Sequence, residues 1–260
     1  MNLHKNILPC TLLALLLCCG QVQGQSDFTI NYRIVTLDST YAHHPDTAMQ
    51  AYINEHKAQM DVVMGEVIGH CTRDLTYSMP QSPLSNLLTR MLYDIGDIYC
   101  MEQTGKAADL SLLNFGGIRA YMPKGDITVG TIYNILPFDN SIVIITLKGS
   151  ELKKAFDRMT PTNCQPFSNA QIIYQNDHPA IIKINHRKLK PNKLYRLVTI
   201  DFIQTGGDKI LEGVQYEDVI ATHYLLRTAV MDYIRDMSRG AWGCTRVDVN
   251  SELDDRVIIK

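Results

Sequence analysis

Apolar side chains recur at the helical spacing in three long segments of the chain, and this pattern predicts three amphipathic helices. The first begins at Asp46 or Thr47, either of which can cap a helix, and continues to about residue 68. The second begins at Ser82-Pro83, because a capping residue followed by proline is a typical helix start, and its broad apolar stripe is suited to packing on a sheet. The third covers residues 222–237. Shorter helices are predicted at residues 128–135 and 149–159.

Runs rich in β-branched and apolar residues lie between and after these helices and predict strands. They cover residues 32–37, 107–113, 142–147, 170–174, 180–185, 194–202 and 256–260. Helices and strands interleave irregularly, and strands dominate the second half. The pattern therefore favours an α+β or mixed α/β fold with layered elements over a regular βαβ repeat, in a single domain from residue 46 to residue 260.

The N-terminal segment has the pattern of a secretory signal. A basic residue, Lys5, precedes an apolar run at residues 7–17, and Val22-Gln23-Gly24 has the small-residue pattern of a cleavage site. The run is shorter than the roughly 20 residues that a membrane span needs. We therefore expect residues 1–24 to be removed, residues 25–45 to form a lead-in, and the protein to be periplasmic or in the cell envelope. Cys18 or Cys19 offers an alternative, a lipid anchor, although neither follows the small residue usual at such sites.

The charge of the chain bears on its partners, and its cysteines bear on disulfide formation. The formal net charge is −2, and the loss of Lys5 with the signal would change it to −3. A chain with no basic excess is a poor candidate for binding a nucleic-acid polymer. Export permits disulfides, and the four cysteines after the signal can pair in three ways between which the sequence does not choose: Cys71, Cys100, Cys164 and Cys244.

The common catalytic motifs are absent from the sequence. There is no His-Glu-x-x-His, no Cys-x-x-Cys, no Gly-x-Ser-x-Gly elbow and no phosphate-binding Walker loop. The pair His70-Cys71 is interpreted as a helix end, and residues 176–178 as a turn between strands. We therefore predict no catalytic residue and no metal ligand in this chain.

Three segments instead combine a strand end, a turn and an exposed aromatic or polar group. They are residues 114–119, 136–140 and 201–208. Phe138 and Phe202 could clamp a flat heterocycle, since stacking on an aromatic ring contributes about 1–3 kcal/mol per base, and a carboxylate could accept hydrogen bonds from ribose hydroxyls. The alternative is that both phenylalanines belong to the core.

These segments resemble the C-terminal domain of the 5′-nucleotidase family. The motif Asn-Phe-Gly-Gly-Ile-Arg at residues 114–119, the run from residue 125 to residue 140, residues 147–152 and residues 202–208 carry the resemblance, which extends from about residue 67 to residue 260. It implies a layered α/β/β/α sandwich whose substrate-binding residues hold the nucleoside part of a substrate.

Residue by residue, the resemblance implies that Phe138 and Phe202 sandwich the base and that Asn114 contacts the base or its surroundings. Arg119 and Asp208 would hold the ribose or its neighbourhood. The double glycines of the two turns complete the set: Gly116, Gly117, Gly206 and Gly207.

Two departures from the family pattern limit the resemblance. The usual Leu-Gly-Asn-Leu followed by an aspartate is here Leu-Ser-Asn-Leu at residues 84–87, with Arg90 at the aspartate position. The N-terminal metallophosphoesterase domain, whose two metals activate the attacking water, has no counterpart before residue 67. We therefore expect a separately encoded metallophosphoesterase to supply two divalent metals and the hydrolysis. The alternatives are a stand-alone exported protein that binds nucleosides or nucleotides, and an interaction or scaffold domain that binds no ligand.

Overall fold

A computed structural model describes residues 30–36, 38–39, 46–238 and 254–260. The chain separates into two units, residues 1–51 and residues 52–260. In the first unit, residues 30–36 have no regular secondary structure, so the strand predicted at residues 32–37 is not formed over its described part. The predicted signal, its cleavage after Gly24, the lipid-anchor cysteines and Cys244 lie outside the described residues.

The described residues contain six α-helices and eleven strands. The helices are α1 Thr47–Met64, α2 Pro83–Thr104, α3 Val129–Ile135, α4 Gly149–Asp157, α5 Asp201–Gln204 and α6 Leu226–Ser238. The strands are β1 Val67–Cys71, β2 Leu110–Leu112, β3 Gly125–Thr128, β4 Ser141–Lys148, β5 Phe167–Ser168, β6 Ala170–Gln175, β7 His178–Ile184, β8 Arg187–Lys188, β9 Leu194–Ile200, β10 Asp218–Leu225 and β11 Val257–Ile259. None of the helices in this part of the chain is both long and apolar enough to span a membrane.

The strands form one five-stranded sheet, one four-stranded sheet and one pair. Their orders are β10-β4-β9-β2-β5, β11-β6-β7-β8 and β1-β3. Helix α2 packs on strands of the five-stranded sheet, and α4 contacts strands of both larger sheets. The predicted mixed α/β fold class is confirmed.

The five-stranded sheet brings the three motif segments to one edge. Strand β2 pairs parallel with β9, so both strands end at the same edge, and their ends lead into residues 114–119 and 201–208. Strand β4 pairs antiparallel with β9 and places Ile142, near its start, opposite Ile200, at the end of β9. The segment that precedes β4, residues 136–140, therefore arrives at the same edge.

Helix α2 begins where the sequence predicts, and its residues explain why. Ser82 caps the helix and forms a reciprocal capping box with Ser85, and Pro83 occupies the first helical turn. Gly105 ends the helix in the left-handed conformation that glycine adopts most easily (φ 67°). The helix buries an apolar face that includes Leu84, Leu88 and Leu92, which fixes it against the sheet that carries the motif segments.

Helix α2 packs tightly on the sheet at Gly96, and substitution there should destabilise the fold. In a Gly96→Ala variant the new Cβ would lie 2.2 Å from Cγ1 of Val198, a fully buried residue of β9. Overpacking costs about 1–3 kcal/mol, which outweighs the gain of about 1 kcal/mol or less from replacing glycine by alanine in a helix. We expect a melting temperature several degrees lower. If the clash is the cause, adding Val198→Ala should yield a double variant more stable than the two single losses predict, and simple additivity would contradict it.

Four sequence predictions need correction. Helix α1 ends at Met64 rather than near residue 68, and none of its residues is buried. The β-branched run that follows pairs as β1 instead, so His70 lies in a strand and its Nδ1 is 3.1 Å from Asp126 Oδ1. Residues 222–225 belong to the edge strand β10, and the last long helix begins only at Leu226. Phe202 does not end a strand but lies in the first turn of α5.

The three described cysteines, Cys71, Cys100 and Cys164, are free and buried. Burial raises the pKa of the Cys164 thiol from 9.0 to about 11, and a smaller opposing contribution comes from the nearby Tyr174 hydroxyl. The thiol has no water to stabilise its charged form.

The raised pKa of Cys164 predicts a loss of stability in alkali. Between pH 9 and about pH 11 the unfolded chain releases this proton while the folded chain keeps it, so the free energy of unfolding falls as the pH rises. The full effect is about 2–3 kcal/mol. Urea unfolding at pH 8.5 and pH 10.5 measures the loss. A Cys164→Ala variant serves as the comparison, because it should show a smaller decrease over this interval; an equal decrease would assign the effect to other groups.

Candidate functional site

The turn after β2 places a buried amide next to an exposed carboxylate. Asn114 is 4 % exposed, and its Nδ2 donates a hydrogen bond to Asp208 Oδ2 at 2.6 Å. Because only the nitrogen of the amide can donate to a carboxylate, this contact fixes which way the amide faces. Its Oδ1 is buried and has no hydrogen-bond partner among the described residues. Within the described part of the chain the amide is therefore oriented, and its acceptor is left unsatisfied.

The second glycine of this turn, Gly117, is required by close packing. Residues Phe115–Gly117 form a short 3-10 helix. In a Gly117→Ala variant, Cβ would lie 2.8 Å from Asn114 Oδ1, a distance too short for any side chain. The buried Gln165 supports the turn, since its Oε1 accepts a hydrogen bond from the Phe115 N–H at 2.9 Å. The turn and the Asn114 amide thus form one rigid unit.

The segment before β4 presents Phe138 to solvent. Its side chain is 49 % exposed, which argues against the alternative that it belongs to the core. The segment is joined to the first turn by a hydrogen bond from the Arg119 N–H to Ile135 O at 2.9 Å. A small cavity of about 10 Å³, room for about one water, lies between Asn114, Gly117, Phe138 and Asn140.

The segment after β9 presents the second aromatic ring. Phe202 is 42 % exposed, so it is not a core residue either. In a Gly207→Ala variant, Cβ would lie 2.4 Å from Phe202 Cε1, so the ring rests directly on the glycine. Gly206 (φ 106°) and Asp208 (φ 52°) adopt positive φ, which folds the loop back toward Asn114.

The five predicted site residues lie in the three segments at one edge of the sheet, and some of them are in contact. Asn114 and Asp208 are hydrogen-bonded, and Asn114 and Phe138 line the same cavity. Within the described residues, the rings of Phe138 and Phe202 do not pack on each other. Arg119 is exposed; its Nη1 is 3.5 Å from Gly116 O, and the described residues hold no ion-pair partner for it.

Sequence reasoning missed two buried polar residues, Gln165 and Arg227, that support the loops. Nothing local distinguishes them, because their partners lie 50 and about 90 residues away in the chain. Over the part of the chain that the structure describes, no group of three or more His, Cys, Asp or Glu side chains could hold a metal ion.

Comparison with known proteins shows which family shares this architecture. The family described as 5′-nucleotidase, C-terminal domain, matches residues 67–214, more than half of the chain. The protein UshA of Yersinia enterocolitica is 32 % identical over 158 residues, which are 58 % of this chain and 27 % of that protein. The chain therefore spans much less than half of this relative.

Solved structures give the same result. The 5′-nucleotidase precursor from Thermus thermophilus superposes with a TM-score of 0.64 at 26 % identity, over 82 % of this chain and 42 % of that one. The NAD nucleotidase of Haemophilus influenzae shares the fold, with a TM-score of 0.59 at 15 % identity over 83 % of this chain and 41 % of that one. The chain belongs to the 5′-nucleotidase family, of which it carries the C-terminal domain.

Proposed function

We propose that this domain binds the nucleoside part of a nucleoside or nucleotide, with the base held between Phe138 and Phe202. One observation carries the proposal. The buried Asn114 amide is oriented by Asp208 and keeps an unpartnered Oδ1 at the sheet edge that also carries the two exposed rings. An apolar surface of two rings with a few fixed polar groups is what a flat heterocycle needs for orientation.

The remaining candidates suit the sugar. Asp208 has one carboxylate oxygen engaged by Asn114, and its side chain can accept further hydrogen bonds from ribose hydroxyls. Arg119, exposed at the same turn, offers guanidinium donors to the sugar oxygens or to a phosphate. A pair of ribose hydroxyls could then accept hydrogen bonds from the guanidinium of Arg119 and donate hydrogen bonds to the carboxylate of Asp208.

Hydrolysis, in this proposal, is the task of a metallophosphoesterase on a separate chain, which holds two divalent metals and acts with this domain after export. The support is that the chain matches the C-terminal domain of the 5′-nucleotidase family. Two metals would supply the activated water for attack on phosphorus.

The experiment combines binding with activity. Calorimetric titration of the chain with adenosine, uridine, inosine and AMP should give saturable binding to at least one of them. Addition of the chain to a metallophosphoesterase of the same family should change the KM or kcat for nucleotide hydrolysis. Absence of binding to the whole panel would refute nucleoside recognition and favour the scaffold alternative. Binding without any effect on hydrolysis would refute the partner and leave an exported binding protein.

A further inference from the structure

Arg227, the second residue of α6, is a buried arginine directed at the segment that carries Phe138. It is 7 % exposed. Its Nη1 donates to three consecutive carbonyl oxygens, those of Leu136 at 3.2 Å, Pro137 at 3.0 Å and Phe138 at 3.5 Å. Its Nη2 forms an ion pair with Asp139. One side chain thus contacts four consecutive residues of the loop.

The surroundings of Arg227 hold the guanidinium in one orientation. Its Cζ lies 4.1 Å from the centroid of the Tyr133 ring, in a cation–π contact. Its Nε is buried and has no hydrogen-bond partner in the described part of the chain. The loop carbonyls and Asp139 therefore provide the polar contacts that compensate for burial of the charge.

Other contacts fix the two ends of the same loop. The Leu226 N–H donates to Asn140 O at 2.9 Å, and the Arg119 N–H donates to Ile135 O at 2.9 Å. Between these anchors, residues 136–139 form no regular secondary structure, and the side chain of Phe138 itself is exposed. The backbone under Phe138 therefore depends on Arg227 for its conformation.

We infer that Arg227 is a positioning residue, which holds Phe138 ready for stacking before a ligand arrives. The inference rests on the proposed function for its consequence in binding, because a fixed ring avoids the ordering cost that a mobile loop would incur. A planar fork can serve consecutive carbonyls, a carboxylate and a ring face together, whereas an ammonium group cannot. We therefore expect lysine at position 227 not to hold the loop in place, although it keeps the positive charge.

The test compares Arg227→Lys and Tyr133→Leu with a matched control, Arg235→Met, which removes an arginine of the same helix that pairs with Glu66 and Asp232 instead. Tyr133→Leu removes only the ring stacked on the guanidinium and keeps the inference testable if Arg227→Lys does not fold. Hydrogen exchange of the Arg119 and Leu226 amides, which donate to Ile135 O and Asn140 O at the two ends of the loop, measures the order of the loop, and titration with the nucleoside that the wild type binds measures affinity.

We expect exchange of the Arg119 and Leu226 amides to become at least about 10-fold faster in Arg227→Lys, with a smaller increase in Tyr133→Leu and none in Arg235→Met. Nucleoside affinity should fall about 10-fold in Arg227→Lys. In a Phe138→Ala background, Arg227→Lys should lower nucleoside affinity hardly at all, because the ring that Arg227 positions is gone.

Two results would overturn the inference. One is wild-type exchange rates of the Arg119 and Leu226 amides in both test variants. The other is a loss of affinity that is just as large without Phe138, since that would mark a general effect on the fold. If the wild-type chain binds no nucleoside, the proposed function fails by itself, and the exchange rates still decide whether Arg227 orders the loop.

Discussion

Replacement of both Phe138 and Phe202 by alanine is expected to abolish measurable nucleoside binding and to leave the melting temperature near that of the wild type. Each stacked ring contributes about 1–3 kcal/mol, so the pair accounts for roughly 2–6 kcal/mol, or a weakening of about 30-fold to more than 1,000-fold. Both side chains are about half exposed, 49 % and 42 %, so the folded state loses little buried surface.

Calorimetry on the two single variants and the double variant, with thermal unfolding of each, measures both effects. Tyr77→Ala is a suitable control, because Tyr77 is an aromatic residue of similar exposure, 39 %, outside the three motif segments. The single variants should each lose part of the affinity. Wild-type affinity in the double variant would rule out the stacking arrangement whichever biological role the domain has.

Local chemistry made much of this architecture predictable. Ser82-Pro83 predicts the start of α2 because capping and proline geometry act within one turn, and the structure bears this out. The three motif segments were also identified from local features, glycine pairs and polar groups at strand ends. That they meet at one edge follows from β2 and β4 both pairing with β9, which no single segment contains.

The errors have an equally physical origin. Residues 67–68 continue the apolar period of α1, yet pairing with β3 makes them a strand. Residues 222–225 are apolar and aromatic enough to fit a helical stripe, but they continue strand β10, which pairs with β4 through Ala221 and Leu225 with an irregular stretch between them. Phe202 follows the apolar run of β9 after one polar residue, Asp201, at which the chain turns into α5.

Long-range polar contacts could not be predicted from local sequence either, because their partners are far apart in the chain. The hydrogen bond between Asn114 and Asp208 joins residues 94 positions apart, and the ion pair of Arg227 with Asp139 spans 88. A sequence window contains neither. Asn114 and Asp208 were identified as polar groups beside glycine turns, the resemblance to a family assigned their roles, and Arg227 was not identified. The roles in ligand binding assigned to the five site residues stay predictions until titration tests them.

Asn114→Asp is expected to destabilise the folded protein in a strongly pH-dependent way. The substitution keeps the size of the side chain but replaces the amide that donates to Asp208 Oδ2 at 2.6 Å by a carboxyl, in a site only 4 % exposed. Two carboxylates at that distance cannot both be charged, so burial and repulsion should hold one proton in the folded state well above the ordinary pKa of a carboxyl, by about two to three units. Each unit corresponds to about 1.4 kcal/mol, which gives roughly 3–4 kcal/mol near pH 7.

The sign follows from where the proton is bound. Below about pH 4 position 114 is protonated in the folded and the unfolded chain, and a protonated carboxyl can still donate to Asp208, so the deficit relative to wild type is small. As the pH rises above 4, the unfolded chain releases the proton while the folded chain retains it, and the free energy of unfolding falls.

Urea unfolding at pH 4.5 and pH 7 should therefore show a deficit in the free energy of unfolding that grows with pH. Asn134→Asp, the same change at an exposed position of α3, is the control and should show little change at either pH. A deficit of equal size at both pH values would mean that Asn114 supports the fold through its shape, and not through the hydrogen bond that orients it toward a ligand.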